Sequence, residues 1–383
     1  MNARLPLFSP LYRTEECLAE IKECLENGWT GLGYKTITFE NHWKEYTKLP
    51  NAHFVNSCTA ALHLAVELLK IDRDWNRSDE IITTPLTFVS TNHVILQAGL
   101  KPIFADVDRY LCLDPESVLE RITPRTRAIM FMGHGGNSGQ LSRMIQIARE
   151  KGLAIILDAA HMAGTCIGGR HVGYDVDAAA FSFHSVKNVP TADGGMISFL
   201  DPDLAEKARK MSWLGISKDT FSRTKSEEAY KWMYDVEEIG WKYHGNSVMA
   251  ALGIVALRYL SQDNAARGLL AHWYRRDLEG EVGLIPVPED CWSSRLLFQV
   301  MVDRRDDLMA HLNKDGIFPG VHYRLNTDYP MYSYGKGTCP HAERASSRLI
   351  SLPLHLLMGR QDVERVTTSI KDFLSGRMRD KIH

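Results

Sequence analysis

The 383-residue sequence lacks an apolar run long enough to cross a membrane. A membrane-spanning helix needs about 20 consecutive apolar residues, so we expect no membrane span. The amino terminus, Met1-Asn2-Ala3-Arg4, also lacks the apolar segment of a secretory signal. Together these features predict a chain that is neither inserted in a membrane nor secreted.

The sequence also lacks an excess of charge of either sign. Its 45 Lys and Arg residues nearly balance its 47 Asp and Glu residues, for a formal net charge of −2. Proteins that bind nucleic acid or anionic lipid usually carry a basic excess or a basic run. The balance predicts that neither nucleic acid nor a membrane surface is a partner.

Cysteines are few and scattered, and no two of them form a Cys-x-x-Cys pair. Their odd number, seven, argues against a disulfide framework. The lack of paired spacing argues against a zinc site, so we predict no bound metal. The same pattern favours a reducing, cytoplasmic location.

Short apolar runs alternate with helical periods across the first two-thirds of the chain, with helices predicted at 59–70 and 141–151. The runs read as strands buried on both faces, since their apolar residues are consecutive rather than alternating. They lie at 81–84, 101–105, 128–132, 154–158, 178–183 and 196–199. Strands that alternate with helices predict an α/β fold with a largely parallel sheet.

The remainder of the chain has a different pattern. A charged stretch at 201–238 is interpreted as a connection over the surface, and a helix at 249–260 and a strand at 296–302 follow it. Because the chain is longer than one core usually serves, we predict two domains, a large one at 1–245 and a small one at 246–383.

Reactive side chains follow the predicted strands, at the edge of a parallel sheet where ligands bind. Asp158 ends one strand and Lys187 follows another. Ser57 and Thr59 precede a helix, whose free N–H groups favour an anion, and Phe88 follows a third strand. Taken singly, each has an ordinary interpretation as a solvated lysine, a helix cap or a packing residue.

The combination matches the needs of pyridoxal 5'-phosphate. Its aldehyde bonds to a lysine amine, and its ring nitrogen stays protonated beside a carboxylate. Its phosphate suits hydroxyls at a helix start, and its ring packs on an aromatic face. The residues therefore predict an enzyme that uses this cofactor.

Five blocks carry a resemblance to a known family. They read NSCTAAL at 56–62, PLTFVS at 85–90, LDAAH at 157–161, SFHSVKN at 182–188 with Gly-Gly at 194–195, and SLPLH at 351–355. The chain resembles the DegT/DnrJ/EryC1/StrS sugar aminotransferases from about Pro6 to Phe373. The resemblance implies the aspartate-aminotransferase-like fold (fold type I): a mostly parallel seven-stranded sheet flanked by helices, plus a smaller carboxy-terminal α+β domain.

The resemblance also implies roles for individual residues. Lys187 would bond to the cofactor and move protons, Asp158 would pair with the ring nitrogen, His161 would lie near the phenolic oxygen, and Phe88 would lie along the ring. In a homodimer, the partner subunit would reach the phosphate with Lys242, whose alternative interpretation is a solvated lysine. The other implied cofactor contacts are Ser57, Cys58, Thr59, Ser182 and His184.

Looser matches point to the substrate. The loop at 133–139 departs from the family pattern, and within it His134 is either a substrate contact or a turn residue. Cys58 replaces a usual glycine, and His244 replaces a usual arginine, which leaves open how the amino donor's carboxylate is held. The full set of substrate candidates is Trp29, Thr30, His134, His322 and Tyr323.

The resemblance implies transfer of an amino group from L-glutamate to a keto-sugar. Blocks such as 86–91 look like the members that aminate a UDP-linked 4-keto-pentose, so the expected substrate is a nucleotide-linked 4-keto-sugar. A 3-keto-sugar or a small phosphorylated keto compound is an alternative substrate.

Other classes of protein are less consistent with the sequence. A related dehydratase is disfavoured because it carries histidine in place of Lys187. A nicotinamide-dependent oxidoreductase needs Gly-x-Gly-x-x-Gly, and Gly31-Leu32-Gly33 has no third glycine. A non-catalytic regulator is a further alternative.

Overall fold

The computed structural model describes residues 4–217 and 234–376. Its strands are β1 (His53–Val55), β2 (Glu80–Thr83), β3 (Lys101–Phe104), β4 (Thr126–Met132), β5 (Ala154–Asp158), β6 (Cys166–Ile167), β7 (Arg170–His171), β8 (Ala178–Ser182), β9 (Gly195–Phe199), β10 (Gly283–Leu284), β11 (Cys291–Trp292), β12 (Phe298–Met301) and β13 (Leu349–Leu352). Its helices are α1 (Thr14–Glu26), α2 (Tyr34–Thr47), α3 (Cys58–Asp72), α4 (Ser90–Gln97), α5 (Pro115–Arg121), α6 (Leu141–Lys151), α7 (Pro202–Met211), α8 (Ser247–Leu278), α9 (Arg305–Lys314), α10 (Pro340–Arg348) and α11 (Arg360–Leu374).

A seven-stranded sheet in the order β1-β9-β8-β5-β4-β2-β3 forms the centre of the fold. Five neighbouring strands of this sheet pair in parallel, in the order β3, β2, β4, β5 and β8. The strand β9 runs antiparallel to both of its neighbours, β8 and β1. The prediction of a mostly parallel sheet is confirmed, and each of the six predicted runs forms one of its strands. The seventh strand, β1, has three residues and was too short to stand out in the sequence.

Strand direction determines where the reactive residues lie. Because β5 and β8 are parallel neighbours, with Asp158 opposite Ala180, Asp158 and the residues after Ser182 leave the sheet at one edge. Since β9 runs the other way, its first residue, Gly195, lies at that same edge, paired with Val55 at the end of β1. The topology thus brings four chain segments together.

Helices cover both faces of the sheet and bury it. On one face, Phe39 and Trp43 of α2 pack with Phe181 and Phe183 at zero exposure. On the other, α3 packs among β8, β9 and α4 and buries almost every residue from Ala60 to Leu69. The sheet is apolar on both sides for this reason.

Two predictions about the middle of the chain were wrong. Residues 202–211 form the helix α7 rather than a surface connection, because Leu204, Ala208 and Met211 share one buried face among the charged residues. Residues 218–233 of the same predicted connection lie outside the described part. The helix predicted at 249–260 extends to Leu278.

A smaller antiparallel sheet, in the order β10-β12-β13, follows α8. It packs with α9, α11 and the end of α8 around a core that includes Tyr274, Val300 and Ile350. The strand predicted at 296–302 is β12. The division into domains at 245 and 246 stays a prediction. In the described part of the chain, no helix is both long and apolar enough to span a membrane.

Gly195 permits the close approach of β9 to the start of α3, and its replacement should be costly. A Cβ atom there would lie 2.6 Å from the backbone of Ser57 and Cys58. We expect Gly195→Ala to lower the free energy of unfolding by about 1–3 kcal/mol, as overpacking does. Urea unfolding of the purified protein measures this change.

The matched control is Gly268→Ala, in the interior of α8, where nothing lies within 4 Å of an added Cβ. It should raise the free energy of unfolding by about 0.5–1 kcal/mol, since alanine favours a helix. Equal effects of the two substitutions would contradict the packing argument.

Candidate active site

A cavity of about 310 Å³ opens at the edge of the sheet where the strand ends meet. This volume falls at the lower end of the roughly 300–1,000 Å³ typical of small-molecule sites. Most of the residues singled out in the sequence line it, namely Ser57, Cys58, Thr59, Phe88, Asp158, His161, Ser182, His184, Lys187, His322 and Tyr323.

Lys187 and Asp158 lie close enough in this cavity to shift each other's pKa. Burial lowers the pKa of Lys187 to about 8, against the opposing effects of Cys58 and Asp158. Burial also raises the pKa of Asp158, although its hydrogen bonds and the charge of Lys187 act in the other direction. The site thus holds an amine that is more easily deprotonated than an ordinary lysine beside a carboxylate that is almost fully buried.

Hydrogen bonds made by Lys187 and by its neighbour Asn188 hold the loop that carries the lysine. The amide of Lys187 donates to the carbonyl of His184 at 2.8 Å. The side-chain amide of Asn188 donates to Asn264 of α8 at 2.6 Å and to the carbonyl of Ser294 at 2.8 Å. These bonds tie the lysine to the helix behind the sheet and limit its movement.

The carboxylate of Asp158 is held by two donors. The hydroxyl of Thr91 donates to Oδ2 at 2.7 Å, and the amide of Ala160 donates to Oδ1 at 3.1 Å. A second hydroxyl, on Thr87, lies 2.8 Å from that of Thr91. Sequence analysis did not identify Thr91. The available signal was its place in the block at 86–91 that carries part of the family resemblance.

A chain of hydrogen bonds determines the tautomer of His161. The amide of Gly135 can only donate, and it donates to Nδ1 of His161 at 3.1 Å. The ring proton must therefore lie on Nε2, which donates to the Tyr323 hydroxyl at 2.9 Å. As a result, the Tyr323 hydroxyl keeps its own proton free for the cavity.

Both members of this pair stay uncharged. Burial, with the nearby charge of Lys187, lowers the pKa of His161 well below its usual value. Burial raises the pKa of Tyr323, helped by the charge of Asp158. The rings of His161 and Tyr323 stack with centroids 6.0 Å apart, so one neutral aromatic unit forms this wall.

The start of α3 lines one part of the cavity with Ser57, Cys58 and Thr59. The hydroxyl of Ser57 caps the helix by accepting from the amide of Ala60 at 3.1 Å. Cys58, which replaces the usual glycine, is buried, and its thiol contacts the carbonyl of Ala180 at 3.7 Å. The side chain of Cys58 therefore packs on β8. Gly195, which has no Cβ, lies close against the backbone of Ser57 and Cys58.

Four candidates do not line this cavity. The ammonium of Lys242 lies 3.3 Å from the centre of the Trp213 ring. The indole of Trp29 donates to the carbonyl of Leu32 at 2.7 Å, and the carbonyl of Thr30 accepts from the amide of Ser247 at 3.1 Å.

His134, the fourth, lies behind the His161–Tyr323 wall, with ring centroids 6.2 and 6.0 Å from those two residues. Burial lowers the pKa of His134 to about 4, more than nearby acceptors such as Gln299 raise it, so its ring is neutral. Residues that sequence analysis missed also line the main cavity, among them Phe8, Ser90, Asp193, Leu296 and Leu297.

These groups fit pyridoxal phosphate on the chemistry of their donors. Lys187 supplies a buried amine, Asp158 a carboxylate for the ring nitrogen, and Phe88 an aromatic face. Ser57 and Thr59 supply hydroxyls at a helix start. When bound, the cofactor supplies an aldehyde that accepts an amino group and a cationic ring that withdraws electrons.

Comparisons with known proteins agree with this chemistry. A model of the DegT/DnrJ/EryC1/StrS aminotransferase family matches residues 12–371. The spore coat polysaccharide biosynthesis protein SpsC of Bacillus subtilis (strain 168) is 34% identical over 98% of both chains.

Two solved structures share the whole fold. The aminotransferase TlmJ of Streptoalloteichus hindustanus is 30% identical, with a TM-score of 0.89 over 97% of this chain and 99% of its own. Spr1654 of Streptococcus pneumoniae, solved in a PLP form, is 25% identical, with a TM-score of 0.89 over 98% of this chain and 100% of its own.

The lowered pKa of Lys187 predicts unusual reactivity. Its amine is protonated below about pH 8 and neutral above it, and only the neutral amine is nucleophilic. In cofactor-free protein, labelling of residue 187 by an amine-acylating reagent should reach half its limit near pH 8, rather than near 10.4 as for an ordinary lysine. Mass spectrometry of the labelled peptide measures the profile. A half-point above pH 10 would contradict the effect of burial.

The hydrogen bond from Thr91 predicts a graded effect on cofactor binding. Thr91→Val removes a donor from the buried carboxylate, and bonds to charged groups contribute about 1.5–3 kcal/mol. We expect the affinity for pyridoxal phosphate to fall roughly 10- to 100-fold, measured by absorbance titration of cofactor-free protein. Thr87→Val, which removes only the bond to Thr91, should have a smaller effect. Unchanged affinity in Thr91→Val would rule out this positioning role.

Proposed function

Because the chain belongs to the DegT/DnrJ/EryC1/StrS aminotransferase family, we propose that it transfers an amino group from L-glutamate to a nucleotide-linked 4-keto-sugar. It is a pyridoxal-phosphate-dependent aminotransferase of fold type I. The observation that carries the proposal is that Lys187 and Asp158 line one cavity with the start of α3. The name of SpsC, a spore coat polysaccharide biosynthesis protein, supports a sugar as the acceptor, in amino-sugar biosynthesis.

Lys187, Asp158 and Tyr323 have different roles in the proposed reaction. Nζ of Lys187, uncharged above about pH 8, removes a proton from the donor's α-carbon in one half-reaction. In the other half-reaction it delivers a proton to the sugar carbon. Thr91 and Ala160 fix the two oxygens of Asp158, and this carboxylate would hold the cofactor's ring nitrogen and favour its protonated form. Tyr323, whose proton is free, can donate a hydrogen bond to a substrate oxygen.

The proposal includes a homodimer in which each active site is shared across the interface. Lys242 lies outside the cavity of its own chain, with its ammonium on Trp213, which leaves it available to the other subunit's phosphate site. We also place the enzyme in the cytoplasm. All seven cysteines are free thiols, as suits a reducing compartment.

The function is tested by incubating the purified enzyme with L-glutamate and a panel of keto-sugar nucleotides that carry the ketone at C3 or C4. We expect glutamate-dependent release of 2-oxoglutarate with a 4-keto-sugar. Lys187→Ala should lose at least about 10³-fold in turnover, because it removes the proton-transfer group.

Lys22→Ala, at an exposed lysine, is the matched control and should keep full activity. Full turnover by Lys187→Ala would refute the mechanism. Activity only with a 3-keto-sugar or a small phosphorylated ketone would refute the proposed substrate while leaving the aminotransferase chemistry intact.

A further inference from the structure

A second, smaller cavity adjoins the active site. Its volume is about 10 Å³, near the room that one water-sized atom occupies. It shares Phe8, Val186 and Lys187 with the main cavity. Arg267, His355 and Asp263 also line it, so the cavity is bordered both by Lys187 and by side chains that the proposed mechanism does not use.

Arg267 is a buried cation that makes no direct ion pair with the described residues, although the charge of Asp263 acts on it. It lies on α8 with 7% of its surface exposed, and its Nε has no hydrogen-bond partner among the described residues. The nearest acid, Asp263, is held at 2.6 and 2.7 Å by both terminal nitrogens of Arg13. Burial lowers the pKa of Arg267 to about 10, against the attraction of Asp263, so the guanidinium stays charged at neutral pH.

His355 lines the same cavity. It is 5% exposed, and no described residue makes a well-aligned hydrogen bond to either ring nitrogen, although the carbonyl of Pro6 lies close enough to raise its pKa. Burial and the charge of Arg267 lower its pKa, with Asp362 and the carbonyl of Pro6 acting in the other direction, so the ring is neutral. A neutral imidazole offers one N–H donor to a ligand.

Arg267 and His355 share this cavity with Asp263, whose two carboxylate oxygens already accept from Arg13, so the charge of Arg267 is only partly balanced. An unpaired buried charge costs several kcal/mol, whereas a charge that meets an oxyanion in good geometry recovers much of that cost. The cavity has room for one oxygen atom next to Lys187. An amino donor that reacts beside Lys187 carries its α-carboxylate on the carbon that bears the amine, so this group must lie close to the lysine.

We propose that Arg267 and His355 bind the α-carboxylate of the amino donor, with one carboxylate oxygen in the small cavity and the amine in the main one. This inference rests on the proposed aminotransferase function, and it assigns the residues that hold the donor's α-carboxylate. It also answers how the carboxylate is held in a chain with histidine at position 244.

The test measures binding of 2-oxoglutarate to the cofactor-loaded enzyme by calorimetry, since this compound carries the donor's carboxylates without its amine. We expect Arg267→Met to weaken binding roughly 10- to 100-fold, the value of a hydrogen bond to a charged group. Arg267→Lys should recover part of the affinity. The matched control is Arg275→Met, two turns along α8, where the guanidinium donates to the carbonyl of Ile285 at 2.6 Å. It should bind as the wild type does.

Thermal unfolding without ligand separates a binding role from a structural one. Replacing an unpaired buried charge by methionine should leave the melting temperature unchanged or raise it. A lowered melting temperature together with unchanged 2-oxoglutarate affinity would assign Arg267 to the fold and overturn the proposal. Binding of inorganic phosphate that is tighter than binding of 2-oxoglutarate, and that is lost in Arg267→Met, would also overturn the proposal. The site would then be a phosphate site.

Failure of the proposed function looks different. If no keto-sugar is aminated but 2-oxoglutarate still binds in an Arg267-dependent manner, the acceptor assignment is wrong and the carboxylate site stands. If keto-sugars are aminated while Arg267→Met keeps the wild-type KM for glutamate, the carboxylate site alone is refuted.

Discussion

The parallel pairing of β5 with β8 is the interaction on which the active site depends. It places the end of one strand, Asp158, beside the loop that follows the other, which carries Lys187. Because helices bury both faces of the sheet, the two side chains meet at a site where Asp158 is almost fully buried. Burial then lowers the pKa of the amine and raises that of the acid. Reactivity at this site is therefore a consequence of where the sheet ends.

The groups around these two residues act mainly by fixing protons. Thr91 and Ala160 donate to the carboxylate of Asp158, and the amide of Gly135 sets the tautomer of His161. Each of these donors is itself held by secondary structure or by a turn. A polar network inside a protein is strong when every member is satisfied, and this one leaves only the Tyr323 proton free for a ligand.

Sequence analysis was most accurate for the sheet, because buried strands carry consecutive apolar residues. It failed for α7, where three apolar residues lie among charged ones, and it ended α8 too early. Beyond residue 260 the buried face of α8 includes Asp263, Asn264 and Arg267, so the apolar period disappears while the helix continues. Polar residues that are buried for a reason look, in a sequence, like solvent-exposed ones.

The sequence by itself determined the fold class, the cofactor and the residues placed directly after strands, since each of these depends on local pattern and strand direction. Only the tertiary structure decided the contacts between distant segments. Thr91 meets Asp158 across 67 residues, and Tyr323 meets His161 across 162. The pairing of Asp263 with Arg13 rather than with Arg267 is likewise a property of the packed molecule. Hydrogen bonds of this kind depend on distances of a few ångströms between elements, and no local pattern encodes such distances.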